Sequence, residues 1–199
     1  MTFDRSITEP AKMTRMLEAA KECLALDGEF WECGVFRGGS ARELAALCRP
    51  TGRILRLFDS FEGLSEPSQY DTGPECKKGH FSEADSTMSA VMEFVNYGRA
   101  AYHMGWIPES FHSLDGMPSY TLENTSIAFA YIDLDLYQPT FDALHFIWPR
   151  IVPHGIVVID DYGHPDWPGV KRAVDEFWPT ATLGILESWP DWQAIVRKR

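Results

Sequence analysis

Five short runs that are apolar at nearly every position, most of them separated by a segment with helical spacing, constrain the possible folds of this chain more than any other feature. They are "EFWEC" (29–33), "RILRLFD" (53–59), "AAYHMGW" (100–106), "SIAFAYID" (126–133) and "GIVVID" (155–160). A strand that is apolar throughout, instead of at every second residue, is covered on both faces, and strands alternating with helices pair in parallel. The intervening helices are predicted over "ARELAALC" (41–48), stopped by Pro50, over 84–97 and over 137–150. A leading helix is predicted over 8–26, with Thr8 as N-cap and Asp27-Gly28 as its stop. After the helix "GVKRAVDEFW", the runs "TATLGILES" and "WQAIVRKR" flank "WPD" and read as a hairpin on the sheet edge. The expected class is α/β, a doubly wound, mostly parallel seven-stranded sheet with a C-terminal antiparallel hairpin.

A chain of 199 residues is read as one domain, with residues 1–28 as an N-terminal helical segment. Its 18 basic and 29 acidic residues give a net charge of −11, which argues against nucleic acid and anionic membrane as partners. Neither a signal peptide nor a membrane span is legible, so a cytoplasmic location is expected. Cys23, Cys33, Cys48 and Cys76 form no CxxC pair or zinc spacing and are expected as reduced thiols. The one long irregular stretch, 60–83, is a candidate lid.

Ligands of open parallel sheets bind beyond the carboxyl ends of the strands, which directs attention to the turn Glu32 to Ser40 after the first run. Gly34 can adopt backbone angles closed to other residues, and Gly38 and Gly39 allow a ligand near the main chain where the next helix starts. The spacing is not GxGxxG, which removes the ground for a nicotinamide-dependent oxidoreductase. It resembles instead the acidic-x-Gly-x-x-x-Gly motif of S-adenosylmethionine-dependent methyltransferases, in which Glu32 and the turn, Phe36 included, face the amino-acid part of the cofactor. Asp59, followed by Ser60, ends the second run, where a carboxylate can accept both hydroxyls of a ribose.

"FAYIDLDLYQPT" (129–140) and "VVIDDYG" (157–163) put Asp133, Asp135, Asp160 and Asp161 at the ends of two buried runs. Carboxylates so close repel and raise one another's pKa unless a cation intervenes, and an oxygen-only set suits Mg²⁺ or another hard divalent ion. Asp133, Asp160 and Asp161 are the expected metal ligands and Asp135 the general base. The alternative is that Asp133 or Asp135 caps the helix near Tyr137 while Asp160 and Asp161 bind turn amides.

Together "WECGVFRGGSA", "FDSFEGL", "GWIPESF", "YIDLDLYQPTFDAL", "VVIDDYG" and "GVKRAVDEF" resemble, in order and spacing, the macrocin O-methyltransferase family over about residues 30–178. The resemblance implies a Rossmann-like class I methyltransferase that moves a methyl group from S-adenosylmethionine to a small-molecule hydroxyl with Mg²⁺ assistance. It implies a natural-product sugar as acceptor, although a phenol would satisfy the same chemistry. Glu32, Gly34, Phe36, Gly38, Gly39, Ser40, Asp59, Ser60 and Asp133 would contact the cofactor, with Gly105 and Trp106 near the adenine. His164, after the second acidic pair, joins Asp133 and Asp135 as a catalytic candidate, and Trp167 could wall the acceptor pocket. Leu134 stands where members have Gly, Gln138-Pro139 replace Glu-Ser, and the N-terminal segment is shorter than in many members, so the acceptor is not carried over. A homo-oligomer is compatible with the sequence. The rival readings are a catalytically silent methyltransferase-like binding domain and a metal-dependent hydrolase; the first would be marked by loss of the aspartates, and the second leaves the glycine turn unexplained.

Overall fold

The computed structural model describes residues 5–112, 122, 124–181 and 184–199. The first four residues, and 182–183 within the expected strand 180–188, lie outside the described residues.

One seven-stranded sheet organises the chain, in the order β3-β2-β1-β4-β5-β7-β6. Its parallel strands are β1 (Glu29–Cys33), β2 (Leu55–Asp59), β3 (Ala100–Met104), β4 (Ile127–Ile132) and β5 (Ile151–Ile159). The hairpin strands β6 (Gly184–Trp189) and β7 (Gln193–Lys198) pair antiparallel, and β7 closes on β5. The helices are α1 (Pro10–Glu22), α2 (Gly39–Cys48), α3 (Met88–Val95), α4 (Tyr137–Ile147) and α5 (Pro168–Phe177).

Successive strand residues face opposite layers, so one run feeds two cores. Phe30, Leu57, Phe129, Tyr131, Val158 and Ile195 pack with Met13, Met16 and Leu44 of α1 and α2. Trp31, Phe58, Ile132 and Ile159 pack with Leu144, Val170 and Phe177 of α4 and α5. Cys23, Cys33 and Cys48 are buried and Cys76 half-buried, none of them in a disulfide.

The expected boundaries move for local reasons. Helix α1 starts at Pro10, which is suited to a first helical position, so Glu9 and not Thr8 is the N-cap, with no side-chain cap bond. Helix α3 starts at Met88, because the Thr87 side chain accepts from the Ala90 amide. Strand β5 begins at Ile151, which pairs with Ile127 ahead of an irregularity in register.

The winding runs outward from β1 through β2 to β3, then returns to β4 and β5 on the other side of β1. Cys33 is level with Phe58 and Ile132, and Ile132 is level with Ile159. Gly34, Asp59, Asp133 and Asp160, each next to one of these residues, therefore meet at one carboxyl edge, at the reversal where open α/β sheets bind ligands.

Candidate active site

A cavity of about 290 Å³ opens at that edge, between the glycine turn, the residues after β2, Gly105 to Ile107, the acidic turns, and the N-terminal residues 5–9. Gly34 (φ +87°) is indispensable to the turn, because a Cβ there would lie 1.7 Å from the Asp133 carbonyl oxygen. Its amide donates to the Phe58 carbonyl at 2.9 Å, and the Asp133 amide donates to the Cys33 carbonyl at 2.8 Å. The three strand ends are thereby stitched together.

Asp59 lines the cavity, as a ribose acceptor would, but departs from expectation in that both its oxygens already accept from backbone amides. Its Oδ2 accepts from the amides of Val35 (2.7 Å) and Phe36 (2.9 Å), and its Oδ1 accepts from the Phe61 amide (2.7 Å). Phe36 (φ +50°) and Phe61 (φ +56°) both hold left-handed backbone that bulky residues avoid, and both line the cavity. The carboxylate is the local acceptor that holds these two turns.

Glu32 also departs from its expected place facing a cofactor. It is fully buried, accepts a hydrogen bond from the Ser40 hydroxyl, leaves its other oxygen unpartnered, and is absent from the cavity wall. Burial pushes its pKa up to about 8, opposed by the Ser40 hydrogen bond and assisted by the charge of Asp59. Gly38 (φ +84°) caps α2, and Gly39 is approached by this chain's own Ser6, whose atoms lie 2.7 Å from where a Cβ would stand. Ser60 donates to the Gly63 carbonyl at 2.7 Å, and the Trp106 indole donates to the same oxygen at 3.1 Å. The Gly105 amide donates to the Asp59 carbonyl at 2.9 Å.

In the same lining, carboxylate oxygens of Asp133, Asp135 and Asp161 lie within 4.8 Å of one another. Two of the three expected ligands, Asp133 and Asp161, are in this trio together with the expected base Asp135, and the third, Asp160, stands beside Asp161. Asp160 is engaged elsewhere: its Oδ1 pairs with the Lys12 ammonium at 2.8 Å and accepts from the Asp161 amide at 3.0 Å, and its Oδ2 accepts from the Tyr131 hydroxyl at 2.9 Å. Lys12 also reaches Asp161 Oδ1 at 2.7 Å. Asp135 (φ +61°) and Asp161 (φ +56°) adopt left-handed backbone, which Asp tolerates better than most residues. Burial, then the charges of Asp160, Asp135 and Asp161, push the Asp133 carboxyl well above its ordinary range. Burial and then Asp161 do the same to Asp135, and Lys12 opposes both shifts. Burial alone would lower Lys12, but its two carboxylate partners hold it above the ordinary lysine range.

His164 lines the cavity, with Nδ1 accepting from the Asp166 amide at 3.2 Å and its ring edge-on to Trp192. Trp167 is buried against the segment 60–83, its ring 6.0 Å from that of Phe81. Neither Asp133 nor Asp135 caps α4, whose N-cap is Leu136. Asp71, reaching across from the segment 60–83, accepts from the Tyr137 amide at 2.7 Å and from the amide and hydroxyl of Ser68.

Lys12, Asp71 and the segment 5–9 are the site elements that sequence reasoning missed. Lys12 did carry a signal, as the cation among Met13, Met16, Ala19 and Ala20 on the buried face of α1. Asp71 carried none, since its helical partner lies 66 positions away.

A family model described as macrocin-O-methyltransferase (TylF) matches residues 3–196. The chain is 33% identical over 144 residues to an 8-demethyl-8-(2,3-dimethoxy-alpha-L-rhamnosyl)-tetracenomycin-C 4'-O-methyltransferase of Streptomyces olivaceus, covering 68% of this chain and 53% of that protein. It is 30% identical over 159 residues to the mycinamicin III 3''-O-methyltransferase of Micromonospora griseorubida, covering 75% and 60%. The chain thus spans between half and two-thirds of the length of the curated relatives it matches. Among solved structures, a calicheamicin methyltransferase superposes with a TM-score of 0.77 at 26% identity, over 94% of this chain and 78% of that one. An O-methyltransferase of tomaymycin synthesis from Streptomyces achromogenes, in complex with S-adenosylmethionine, has a TM-score of 0.60 at 18% identity over 98% and 82%, a likeness of fold alone.

Proposed function

Because the chain belongs to the macrocin-O-methyltransferase family, we propose that it methylates a hydroxyl of a small natural product, with S-adenosylmethionine as donor and a sugar as acceptor. The observation that carries the reading is the meeting of the glycine turn and the acidic trio in the lining of one cavity. In this reading the donor lies along the turn from Gly34 to Ser40, with Ser60, Gly105 and Trp106 towards its adenosine. The acceptor oxygen attacks the sulfonium methyl in line: the O–C bond forms, the S–C bond breaks, and the sulfur keeps the bonding pair. Asp135 takes the acceptor's proton, so that ether and S-adenosylhomocysteine leave neutral at the reacting atoms. His164, in the same lining and with its amide donating to the Asp161 carbonyl, orients the acceptor.

The oxygen-only donors of Asp133 and Asp161, with Asp160 beside Asp161 and carboxyl groups that resist simultaneous ionisation, fit a hard divalent cation such as Mg²⁺ and leave Asp135 next to it as the base. Asp160 would support it through Asp161 and Tyr131. Such an ion would acidify and orient the acceptor hydroxyl when bound. Residues 60–83 serve as the cover that excludes water, and the four unpaired cysteines favour a cytoplasmic location.

The test is calorimetric titration with S-adenosylhomocysteine, followed by a radiolabelled methyl-transfer screen over glycosylated acceptors. Micromolar binding and label in an ether product are expected. Folded protein that binds no S-adenosylhomocysteine would remove the donor assignment, and binding without transfer to any hydroxyl would favour a silent binding domain.

A further inference from the structure

We propose that Lys12 is a built-in counter-cation of the acidic wall: it weakens binding of a divalent ion there and couples that binding to the seating of α1. This rests on the reading of the acidic trio as a cation site. Lys12 is 6% exposed on a helix face otherwise made of Met13, Met16, Ala19 and Ala20. A buried ammonium is tolerated only when paired, and its partners are Asp160 and Asp161, at 2.8 and 2.7 Å. Asp161 also belongs to the trio with Asp133 and Asp135. One carboxylate is thus claimed by two positive charges, which repel each other across a few ångströms and cannot both gain its full attraction.

The coupling follows from what precedes Lys12. Residues 5–9 line the cavity, and Ser6 rests on Gly39 at the start of α2. An ion that draws Asp161 away from Lys12 loosens the anchor of this strap, and by reciprocity a firmly seated strap lowers affinity for the ion. The sequence signature is a lysine placed where the amphipathic pattern of α1 calls for an apolar residue.

The experiment titrates Mn²⁺, read as free ion by electron paramagnetic resonance, into wild type, Lys12→Met and Lys12→Arg, with hydrogen exchange of residues 10–16 followed with and without the ion. Lys12→Met is expected to bind roughly tenfold more tightly or better, and Lys12→Arg within about twofold of wild type. In wild type, exchange at 10–16 should rise as the site fills. Binding of equal strength in wild type and Lys12→Met overturns the role of Lys12 while leaving the cation site standing. No binding in either protein overturns the cation site and this proposal with it. Should Lys12→Met fail to fold, the wild-type exchange decides: unchanged protection at saturating Mn²⁺ overturns the coupling.

Discussion

Asp135 and Asp161 both sit in left-handed turns, three residues beyond the end of β4 and two beyond the end of β5, and it is their mutual approach that makes them candidates for chemistry. Asp135→Asn should lower kcat by about 10²–10⁴-fold, while S-adenosylhomocysteine affinity changes by less than about threefold, as single-turnover kinetics and calorimetry would register. Gly34→Ala would force a Cβ to within 1.7 Å of the Asp133 carbonyl oxygen at a φ of +87°, and should lose more than about 2 kcal/mol in a denaturant titration. Glu32 carries a pH dependence. Its folded pKa of about 8 lies above the unfolded value, so the folded state holds the extra proton. The stability it contributes is complete below the unfolded pKa and is lost as pH rises towards 8. Glu32→Gln should flatten the decline in denaturation midpoint between about pH 5 and 8; an unchanged slope would place the proton elsewhere. The glycine turn and the four aspartates were legible as residues, because each breaks its local pattern. That Asp59 would be occupied by backbone amides was not, since those amides come from two different turns.

The elements most visible in the sequence were those whose pattern is local. Continuous apolarity marked β1, β2, β4 and β5, and alternation with amphipathic segments gave the parallel sense of the sheet. What was not legible is how the segment 60–83, the proposed cover, is held. Asp71 ties it to the first amide of α4, and Tyr70 stands edge-on to Tyr137. A Cβ on Gly73 would lie 1.7 Å from the Asp166 carbonyl, so cover and acidic turn are in direct contact. Asp71→Ala should remove about 1 kcal/mol of helix-capping stability and speed limited proteolysis within 60–83. If the proposed reaction runs beneath that cover, KM for the acceptor should rise more than kcat falls.

For the whole molecule, the active edge is a consequence of winding. The chain reverses between β1 and β4, so carboxyl ends from both halves of the sheet meet at one crevice, and a ligand there bridges both halves. S-adenosylhomocysteine at a hundred times its Kd should therefore stabilise the fold by about 2.7 kcal/mol, readable as a rise in Tm. No helix among the described residues is long and apolar enough to cross a membrane. The sequence by itself determined the α/β class, the parallel sense of the first five runs, the glycine turn and the acidic segments, because periodicity and strand-end chemistry act over a few residues. Tertiary structure alone decided that Asp135 joins Asp133 and Asp161, that Lys12 holds Asp160, that Glu32 stays behind the cavity wall, and that Asp71 caps a distant helix. Each of these depends on distances between segments far apart in the chain, and such distances are set by packing of the two layers on the sheet, which no local pattern encodes.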